Sequence, residues 1–353
     1  MAKSRKYGKK KGKLSRTFKF FCWLAFIVLC VAVASGIYLR RERTVNAEDI
    51  RIYIPSHSSY DAVVDTLMRN GCFTSREAFD AMSQFRRYTE HVKSGSYIVE
   101  SGMAYYDLVN KLRAGNQDPI TVVIGRQRLL RTLCDNLGNR FEFSGNELYS
   151  MLCSESVCNS YGFTRANILA LFVQNSYEFY WNISATDFLN RMHKEYERFW
   201  NSMRLSKCDA LNLTPAEVTA LAAIVDEETN NDKEKPLIAS VYLNRVRKHM
   251  PLQADPTVRY AVGDFTIRRV LTKHTLVDSP YNTYQRIGIP PGPICIPSEV
   301  AIDAVLANKK TDYLYFCAKE DFSGSHNFAS TLAEHQRNAD KFHKALNARN
   351  IKK

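Results

Sequence analysis

Three consecutive carboxylates, Asp226, Glu227 and Glu228, are the strongest candidates for acid–base chemistry in this 353-residue sequence. A carboxylic acid against an apolar wall has its pKa raised, because burial disfavours the charged form, and neighbouring carboxylates act in the same direction by like charge. Such a group can donate a proton near neutral pH, which is the difficult step in cleaving a glycosidic bond. The alternative interpretation is a solvated acidic helix end, which is a common surface feature.

The helix that would carry these carboxylates has a clear predicted start. Residues 214–217 (TPAE) read as a capping box with proline at the first helical position. Glu228 follows Leu221 by seven residues and Ile224 by four, so it continues the apolar stripe of that helix. Glu228 is therefore expected to point inward and is the best candidate for a buried catalytic carboxylate. Asp226 lies off the stripe but is not excluded.

The N-terminal region predicts a membrane anchor. Residues 20–39 are uncharged and mostly apolar, and twenty residues in a helix span roughly the 30 Å of a bilayer's hydrocarbon core. Nine Lys or Arg precede this stretch and three follow it closely, so the positive-inside rule places the N-terminus in the cytoplasm and everything after Arg43 outside. We therefore predict a basic cytoplasmic tail at 1–19 and a transmembrane helix at 20–39. A cleaved signal peptide is the alternative.

The positive charge of the chain is a property of that tail. The formal net charge is +13, of which residues 1–43 contribute +11, so the remaining 310 residues carry only +2. That balance excludes a nucleic-acid footprint in the rest of the chain. Basic residues beside a membrane helix are explained by topology and by attraction to anionic lipid.

The cysteines predict no metal centre. Of the nine, none has zinc-like spacing, since Cys153 and Cys158 lack a second pair or a nearby histidine cluster. Scattered buried thiols are favoured over a disulfide between Cys153 and Cys158. The sequence also has no glycine-rich phosphate loop.

The remaining chain divides into two predicted units. After a polar hinge at 44–49, a β-α-α-β-α order is expected, with strands near 50–54 and 93–99. A second unit begins near a strand at 120–124. Residues 140–210 read as helical and loop-like, with aromatic crowding at 172–181 and no clear chemistry.

Short motifs spread over most of the chain resemble the YceG-like endolytic murein transglycosylases, the MltG family. The motifs are LAAIVDEET at 221–229, ASVYLNR at 239–245, LQADPTV at 252–258, YNTY at 281–284, GIPPG at 288–292, YLYF at 313–316 and HNF at 326–328. In that family the glutamate directly before threonine is the catalytic one, and here that position is Glu228. The sequence departs from the family where Asp226 replaces the usual glutamate and Glu227 stands where a basic residue is common, and residues 140–210 match poorly.

The resemblance implies an α+β fold with an N-terminal transmembrane helix. KSGSY at 93–97 and LRAG at 112–115 are similar to the family's LysM-like subdomain, a type of module that binds glycan strands. We therefore expect a small LysM-like β-α-α-β subdomain at 48–115 and a larger mixed α+β catalytic domain at 116–348. Together they would form a groove for an extended glycan.

Seven motif residues are secondary candidates for substrate binding: Gln253, Asp255, Thr257, Tyr281, Asn282, Tyr284 and His326. The stretch 255–257 can equally fix a turn, since Asp and Pro set such geometry. The amide and phenols of 281–284 suit hydrogen bonds to N-acetyl groups and stacking on sugar rings. His326 is interpreted as structural, and Arg245 is expected to be a salt-bridge partner rather than a catalyst.

The reaction implied by the resemblance needs only one carboxylic acid, and no metal or cofactor. Glu228 would protonate the β-1,4 oxygen between N-acetylmuramic acid and N-acetylglucosamine, then accept the proton of the muramic C6 hydroxyl, leaving a 1,6-anhydro end. The alternatives are a lysozyme-type hydrolase that uses Asp226 or Asp255 as a second carboxylate, and a membrane-anchored peptidoglycan-binding scaffold without turnover.

The expected location and partners follow from the same resemblance. We expect a single-pass protein of the bacterial inner (cytoplasmic) membrane, with a periplasmic catalytic domain that acts on peptidoglycan glycan strands. Cell-wall synthases (penicillin-binding proteins) are the expected protein partners, and nucleic acid is not expected.

Overall fold

The fold is mixed α+β and divides into two compact units, Met1–Pro119 and Ile120–Lys353. The structure is a computed structural model and describes residues 16–73 and 75–349. The predicted basic tail at 1–19 therefore lies largely outside the described residues. The elements of the first unit are α1 (Arg16–Leu39), β1 (Ile50–Ile54), α2 (Tyr60–Arg69), α3 (Arg76–Phe85), β2 (Gly95–Val99) and α4 (Tyr105–Ala114).

Helix α1 is long and apolar enough to cross a membrane over Phe18–Tyr38. Its large apolar side chains are exposed, including Phe21 and Trp23 at 67% and 65%. A helix that exposes so much apolar surface is not the core helix of a soluble domain. This arrangement is compatible with a single-pass anchor.

The remainder of the first unit is a two-stranded sheet covered by three helices. Strands β1 and β2 pair antiparallel, with Ile52 opposite Tyr97. The β-α-α-β-α order expected from the sequence is confirmed. Leu67, Phe79 and Leu108, one from each helix, are fully buried in its core.

The predicted hinge at 44–49 is wrong, because its first residues are built into the unit. The Thr44 amide donates to the carbonyl of Met103 at 2.8 Å, and the Val45 amide donates to that of Cys72 at 2.9 Å. The Asn46 side chain donates to the carbonyl of Val99 at 3.1 Å. Thr44 and Asn46 are buried. Polar composition suggested a flexible segment, but here the polar groups satisfy backbone partners inside the fold.

The second unit is mainly helical and holds two small two-stranded antiparallel sheets. Its elements are β3 (Ile120–Ile124), α5 (Leu130–Gly138), α6 (Gly145–Leu152), α7 (Glu155–Ser160), a 3-10 helix (Ile168–Leu171), β4 (Asn175–Phe179), α8 (Ala185–Phe199), α9 (Ser202–Leu211), α10 (Pro215–Glu228), α11 (Lys235–Arg247), α12 (Asp255–Val262), α13 (Thr272–Thr275), α14 (Glu299–Leu306), β5 (Tyr315–Ala318), β6 (His326–Ala329) and α15 (Leu332–Ala348).

Strand β4 corrects the reading of residues 140–210 as only helical and loop-like. It pairs with β3, with Val122 opposite Tyr177. Tyr177 and Phe179 are buried and alternate with exposed residues, so the predicted aromatic crowding comes from a strand. The segment is only five residues long, and its period of two was hidden among neighbouring aromatic residues.

Helix α10 is the centre of the second unit. The predicted capping box is confirmed: the Thr214 hydroxyl accepts from the Glu217 amide at 3.2 Å, and the Glu217 carboxylate accepts from the Thr214 amide at 2.8 Å. Every residue from Val218 to Asp226 is buried, so the helix is enclosed on all sides rather than along one stripe. Helices α11 and α14 pack against it. The last turn of α10 is therefore held rigidly where the helix leaves the core.

Candidate active site

Glu228 is the last residue of α10, and its side chain lines a cavity of about 350 Å³. Six segments form the walls: the end of α10, α11, the 252–255 stretch that leads into α12, the loop that carries Tyr284, β5 and α15. The lining residues are Glu228, Tyr242, Arg245, Leu252, Gln253, Asp255, Tyr284, Tyr315, Phe316, Leu332 and His335. This combination of carboxylates, an amide and aromatic rings suits a polar ligand with apolar ring faces, such as a sugar.

The environment of Glu228 raises the pKa of its carboxyl group, so a substantial fraction of the group is protonated near neutral pH. Burial raises the pKa of Glu228 to about 7, a hydrogen bond from Tyr242 opposes the rise, and the negative charge of Asp255 adds to it. The Tyr242 hydroxyl donates to Oε1 of Glu228 at 2.8 Å, and the Tyr242 ring is itself buried. The acid therefore has a fixed orientation and an affinity for its proton that suits proton transfer.

Asp226 has a structural environment and does not act on Glu228 as expected. It is fully buried and forms ion pairs with Lys235 at 2.7 Å and Arg126 at 2.9 Å. The Ser298 amide and hydroxyl donate to it at 3.0 and 2.9 Å. Although burial acts to raise the pKa of Asp226, the Lys235 and Ser298 hydrogen bonds and the Arg126 charge hold it below its usual range. The expected like-charge effect on Glu228 comes mainly from Asp255 instead.

Glu227 forms an ion pair with an arginine. Arg128 donates to both of its carboxylate oxygens, at 3.0 and 2.8 Å. The negative charge of Glu227 adds a minor increase to the pKa of Glu228. The acidic run thus consists of three carboxylates with three different partners, which accounts for the absence of a solvated acidic helix end.

Asp255, Tyr284 and Gln253 are the three secondary candidates that line the cavity. The Tyr284 hydroxyl donates to Oδ1 of Asp255 at 2.7 Å. Gln253 has a left-handed backbone conformation with φ of 50°, and its backbone N–H donates to the carbonyl of Thr283 at 3.1 Å. That conformation is uncommon for a residue other than glycine, and such strain is concentrated at functional sites.

The other four secondary candidates lie outside the cavity lining. Thr257 is buried and exchanges a 2.8 Å hydrogen bond with the hydroxyl of Thr283. The buried Asn282 amide donates to two backbone carbonyls, at 3.0 and 2.7 Å. The Tyr281 hydroxyl donates to the carbonyl of Ala166 at 2.8 Å. Each of these groups has its hydrogen bonds within the protein, so they shape the loops behind the cavity.

His326 is held by a carboxylate and belongs to the same supporting class. Its Nδ1 lies 2.9 Å from Glu234, and its backbone amide donates to the other Glu234 oxygen at 2.9 Å. The ring meets Phe316 edge to face, and Phe316 lines the cavity. The histidine therefore supports a wall of the site from behind.

Arg245 differs from its predicted role as a salt-bridge partner. Its guanidinium donates to the carbonyls of Leu314 at 2.7 Å and Leu252 at 2.8 Å, and it lies over the Tyr315 ring at 5.2 Å. Among the described residues it contacts no carboxylate at ion-pair distance. Burial lowers the pKa of Arg245. It joins the cavity's β5 wall to the 251–253 stretch and places a positive charge beside the site.

Apart from Arg245, which was expected to form a salt bridge, sequence reasoning missed six cavity residues: Tyr242, Leu252, Tyr315, Phe316, Leu332 and His335. Tyr242, Tyr315 and Phe316 stand within the quoted motifs, so polar and aromatic residues there were an available signal. Leu332 and His335 belong to α15 and carried no signal, because their place in the wall depends on how the C-terminal helix packs on β5 and β6. Burial and the Arg245 charge lower the pKa of His335.

No group of three metal-binding side chains occurs within residues 16–73 and 75–349. All nine cysteines are free thiols, and Cys153 and Cys158 are not bridged.

Comparison with known proteins places these features in context. The sequence profile of the YceG-like family matches residues 52–341. The endolytic murein transglycosylase of Bacillus subtilis strain 168 is 30% identical over 311 residues, which cover 83% of this chain and 84% of the relative. That of Streptococcus pneumoniae strain R6 is 24% identical and covers 89% of this chain, which spans only 64% of the relative's length. A crystal structure of a yceG-like protein from Listeria monocytogenes superimposes with a TM-score of 0.55 at 25% identity, covering 83% of this chain and 99% of that one.

Proposed function

Because this chain belongs to the YceG-like family, we propose that it is an endolytic murein transglycosylase whose catalytic acid and base is Glu228. It cleaves the β-1,4 bond between N-acetylmuramic acid and N-acetylglucosamine within nascent peptidoglycan strands and leaves a 1,6-anhydro-muramyl end. The observation that carries the assignment is the Glu228 carboxyl in a sugar-sized cavity, with a pKa raised to about 7.

Glu228 performs both proton transfers of this reaction. In its protonated form it donates its hydrogen to the bridging oxygen, so that the bond from C1 to that oxygen breaks and the electron pair leaves with N-acetylglucosamine. The carboxylate so formed then removes the proton of the muramic C6 hydroxyl as that oxygen bonds to C1. No water is consumed, because the nucleophile belongs to the substrate and its effective concentration is high.

The surrounding side chains hold the acid and the sugar. The Tyr242 hydrogen bond fixes Oε1 of Glu228 in both protonation states. Gln253 and Tyr284 supply hydrogen-bonding groups to the sugar, and Tyr315 and Phe316 supply ring faces that suit pyranose rings. Thr257, Asn282, Tyr281 and His326 maintain the loops and the wall from outside the cavity.

The anchor and the first unit place the enzyme at its substrate. Helix α1 is a single-pass anchor in the cytoplasmic membrane, with the basic tail in the cytoplasm and the catalytic domain at 116–348 outside. The small sheet-and-helix unit at 48–115 is a LysM-like module that binds glycan strands. Cell-wall synthases of the penicillin-binding class are the expected neighbours, since they supply new strands at the same membrane.

A lysozyme-type hydrolase is the competing chemistry, and only one of its two proposed partners keeps support. Asp226 is engaged by two cations and Ser298, so it cannot serve as a nucleophile. Asp255 lies in the cavity and remains a rival second carboxylate. The two reactions differ in product, since a hydrolase consumes water and leaves a reducing end.

Digestion of purified peptidoglycan by the full chain in detergent micelles tests the assignment. Mass spectrometry is expected to detect 1,6-anhydro ends at internal cleavage positions, and Glu228→Gln is expected to abolish them while folding normally. Reducing ends in place of anhydro ends would establish the hydrolase. Undiminished cleavage by Glu228→Gln would remove this residue from the mechanism, and a wild-type chain without turnover would favour the peptidoglycan-binding scaffold.

A further inference from the structure

We propose that Asp255 is a second catalytic group, whose negative charge stabilises the positive charge that develops at C1 of the muramic sugar, and that Tyr284 is its positioning residue. This inference rests on the proposed function and deepens it. Asp255 forms no bond to the sugar and moves no proton. Its role is electrostatic and differs from the nucleophile or base of a hydrolase.

The first support is the placement of two carboxylates around one cavity. Glu228 reaches it from the C-terminal end of α10, and Asp255 reaches it from the first turn of α12. Asp226 and Glu227, the other acids nearby, are engaged by cations outside the lining. Asp255 is therefore the acid lining the cavity, apart from Glu228, that can face the reacting sugar.

The second support is a repeated phenol–carboxylate pair. Tyr242 donates to Glu228 at 2.8 Å, and Tyr284 donates to Asp255 at 2.7 Å. Each tyrosine thus holds one oxygen of one acid. The loop that carries Tyr284 is fixed from behind, because the Tyr284 amide donates to the buried Asn282 side chain at 3.1 Å. A carboxylate fixed in this way needs no reorganisation when charge appears beside it, which is the condition for strong electrostatic catalysis.

The third support is the sequence of charges during the reaction. Before cleavage Glu228 is protonated and neutral, so it has no charge to offer the sugar. As it gives up its proton, positive charge grows at C1 while the C1–oxygen bond breaks. The Asp255 carboxylate lines the same cavity and attracts that charge from the outset. The same negative charge adds to the proton affinity of Glu228, so one residue serves both the acid and the cation.

The charged and titratable groups around Glu228 define what a pH profile will report. They are Tyr242 and Arg245 on α11, Asp255 and Arg259 on α12, Tyr284 on its loop, Tyr315 on β5, His335 on α15, and Glu227 on α10 itself. Burial, Asp255 and Glu227 favour the protonated acid, whereas the Tyr242 hydrogen bond and Arg259 favour the carboxylate. Removal of the Asp255 charge should therefore lower the pH above which activity is lost.

The test compares Asp255→Asn and Tyr284→Phe with wild type in the full chain, using glycan strands of defined length. For Asp255→Asn we expect kcat to fall by roughly 10² to 10³, as for removal of other preorganised charge-stabilising groups. KM should change by less than about threefold, the alkaline limb of the kcat profile should move to lower pH, and the residual product should keep its anhydro end. Tyr284→Phe should reduce kcat by about tenfold with the same product.

The control variant is Asp264→Asn, which makes the same chemical change at an exposed aspartate just beyond α12 that accepts hydrogen bonds from Thr266. It should retain wild-type kinetics. An Asp255→Asn protein with unchanged kcat and raised KM would overturn the inference and leave a binding role, while the anhydro product would still uphold the proposed function. If Asp255→Asn fails to fold, an unchanged kcat and pH profile in Tyr284→Phe would overturn it instead. Reducing ends from wild type would refute the function itself.

Discussion

Asp226 and Glu228 stand two residues apart at the end of one helix, and the pKa values of their carboxyl groups are shifted in opposite directions. Lys235, Ser298 and Arg126 overcome the burial of Asp226 and hold its pKa low. Burial raises that of Glu228 to about 7, since a single phenol from Tyr242 replaces the cations. One helical turn thus provides a structural anion and a proton donor, because the two carboxyl groups have different environments.

Glu228→Gln is expected to stabilise the protein at alkaline pH. The folded state raises the pKa of Glu228 from 4.5 to about 7, so it binds this proton more tightly than the unfolded chain does. Wild-type stability should therefore decrease as pH rises through this range, by up to about 3 kcal/mol. The glutamine variant lacks this loss, so its advantage should grow between pH 4.5 and about 7 and be complete above that pH. Unfolding measured at pH 4.5, 6 and 8 tests this, and a pH-independent difference between the proteins would contradict it.

Asp226→Asn should destabilise the protein strongly. The change leaves the cations of Lys235 and Arg126 without their buried partner, which costs about 3–5 kcal/mol. The matched control is Glu227→Gln, whose one cationic partner, Arg128, is 43% exposed, and we expect a loss of about 1 kcal/mol or less. Thermal unfolding of both variants provides the measurement. Equal losses would show that the Asp226 cluster has no special structural weight.

The contribution of Asp226 to folding stability should change at acid pH, in the direction set by its pKa shift. Because folding lowers this pKa, the Asp226 contribution is complete above the ordinary value near 3.8 and is lost as pH falls through the folded value. The difference between wild type and Asp226→Asn should therefore shrink in strong acid. A difference that grows on acidification would contradict the assigned ion pairs.

Tyr242→Phe is expected to move the pH profile of activity upward. The Tyr242 hydrogen bond opposes the raised pKa of Glu228, so its loss should raise that pKa further. The alkaline limb should shift to higher pH, while kcat at its maximum should fall about three- to tenfold because the acid loses its fixed orientation. Steady-state rates from pH 5 to 9 test this. A downward shift would mean that Tyr242 does not donate to the carboxylate.

Asn282→Ala and Gln253→Ala should distinguish a residue that stabilises the fold from one that binds the substrate. The buried Asn282 side chain makes three hydrogen bonds, two to the carbonyls of Thr275 and Val277 and one from Tyr284, so its loss should cost about 2–4 kcal/mol of stability. Gln253 lines the cavity, and its truncation should raise KM several-fold with little change in melting temperature. Melting curves and kinetics together decide. Normal stability in Asn282→Ala would place that residue with the substrate instead.

Local signals in the sequence predicted the elements that hold the acid. The capping box at Thr214 located the start of α10, and spacing along that helix singled out Glu228. Both depend on neighbours within one helix, so a single sequence contains them. The strands predicted near 50–54 and 93–99 also rest on local sequence patterns, and they lie at 50–54 and 95–99.

The convergence of distant segments was beyond such reasoning. Asp255 and Tyr284 meet across 29 positions, and whether Asn282 faces the sugar or the backbone behind it depends on the path of one loop. His335 enters the wall from the last helix. The polar composition of 44–49 predicted a flexible hinge. The Thr44 amide, however, donates to the carbonyl of Met103, a contact between distant residues that the local sequence does not reveal.

The hydrogen bonds of Thr44, Val45 and Asn46 leave almost no slack between α1 and the folded first unit. Only Arg40 to Arg43 intervene, and four residues reach at most about 14 Å. If α1 anchors the protein as proposed, this unit stays close to the bilayer surface and diffuses in the plane of the membrane. Strands emerging at the membrane would lie within its reach, and older wall layers farther out would not.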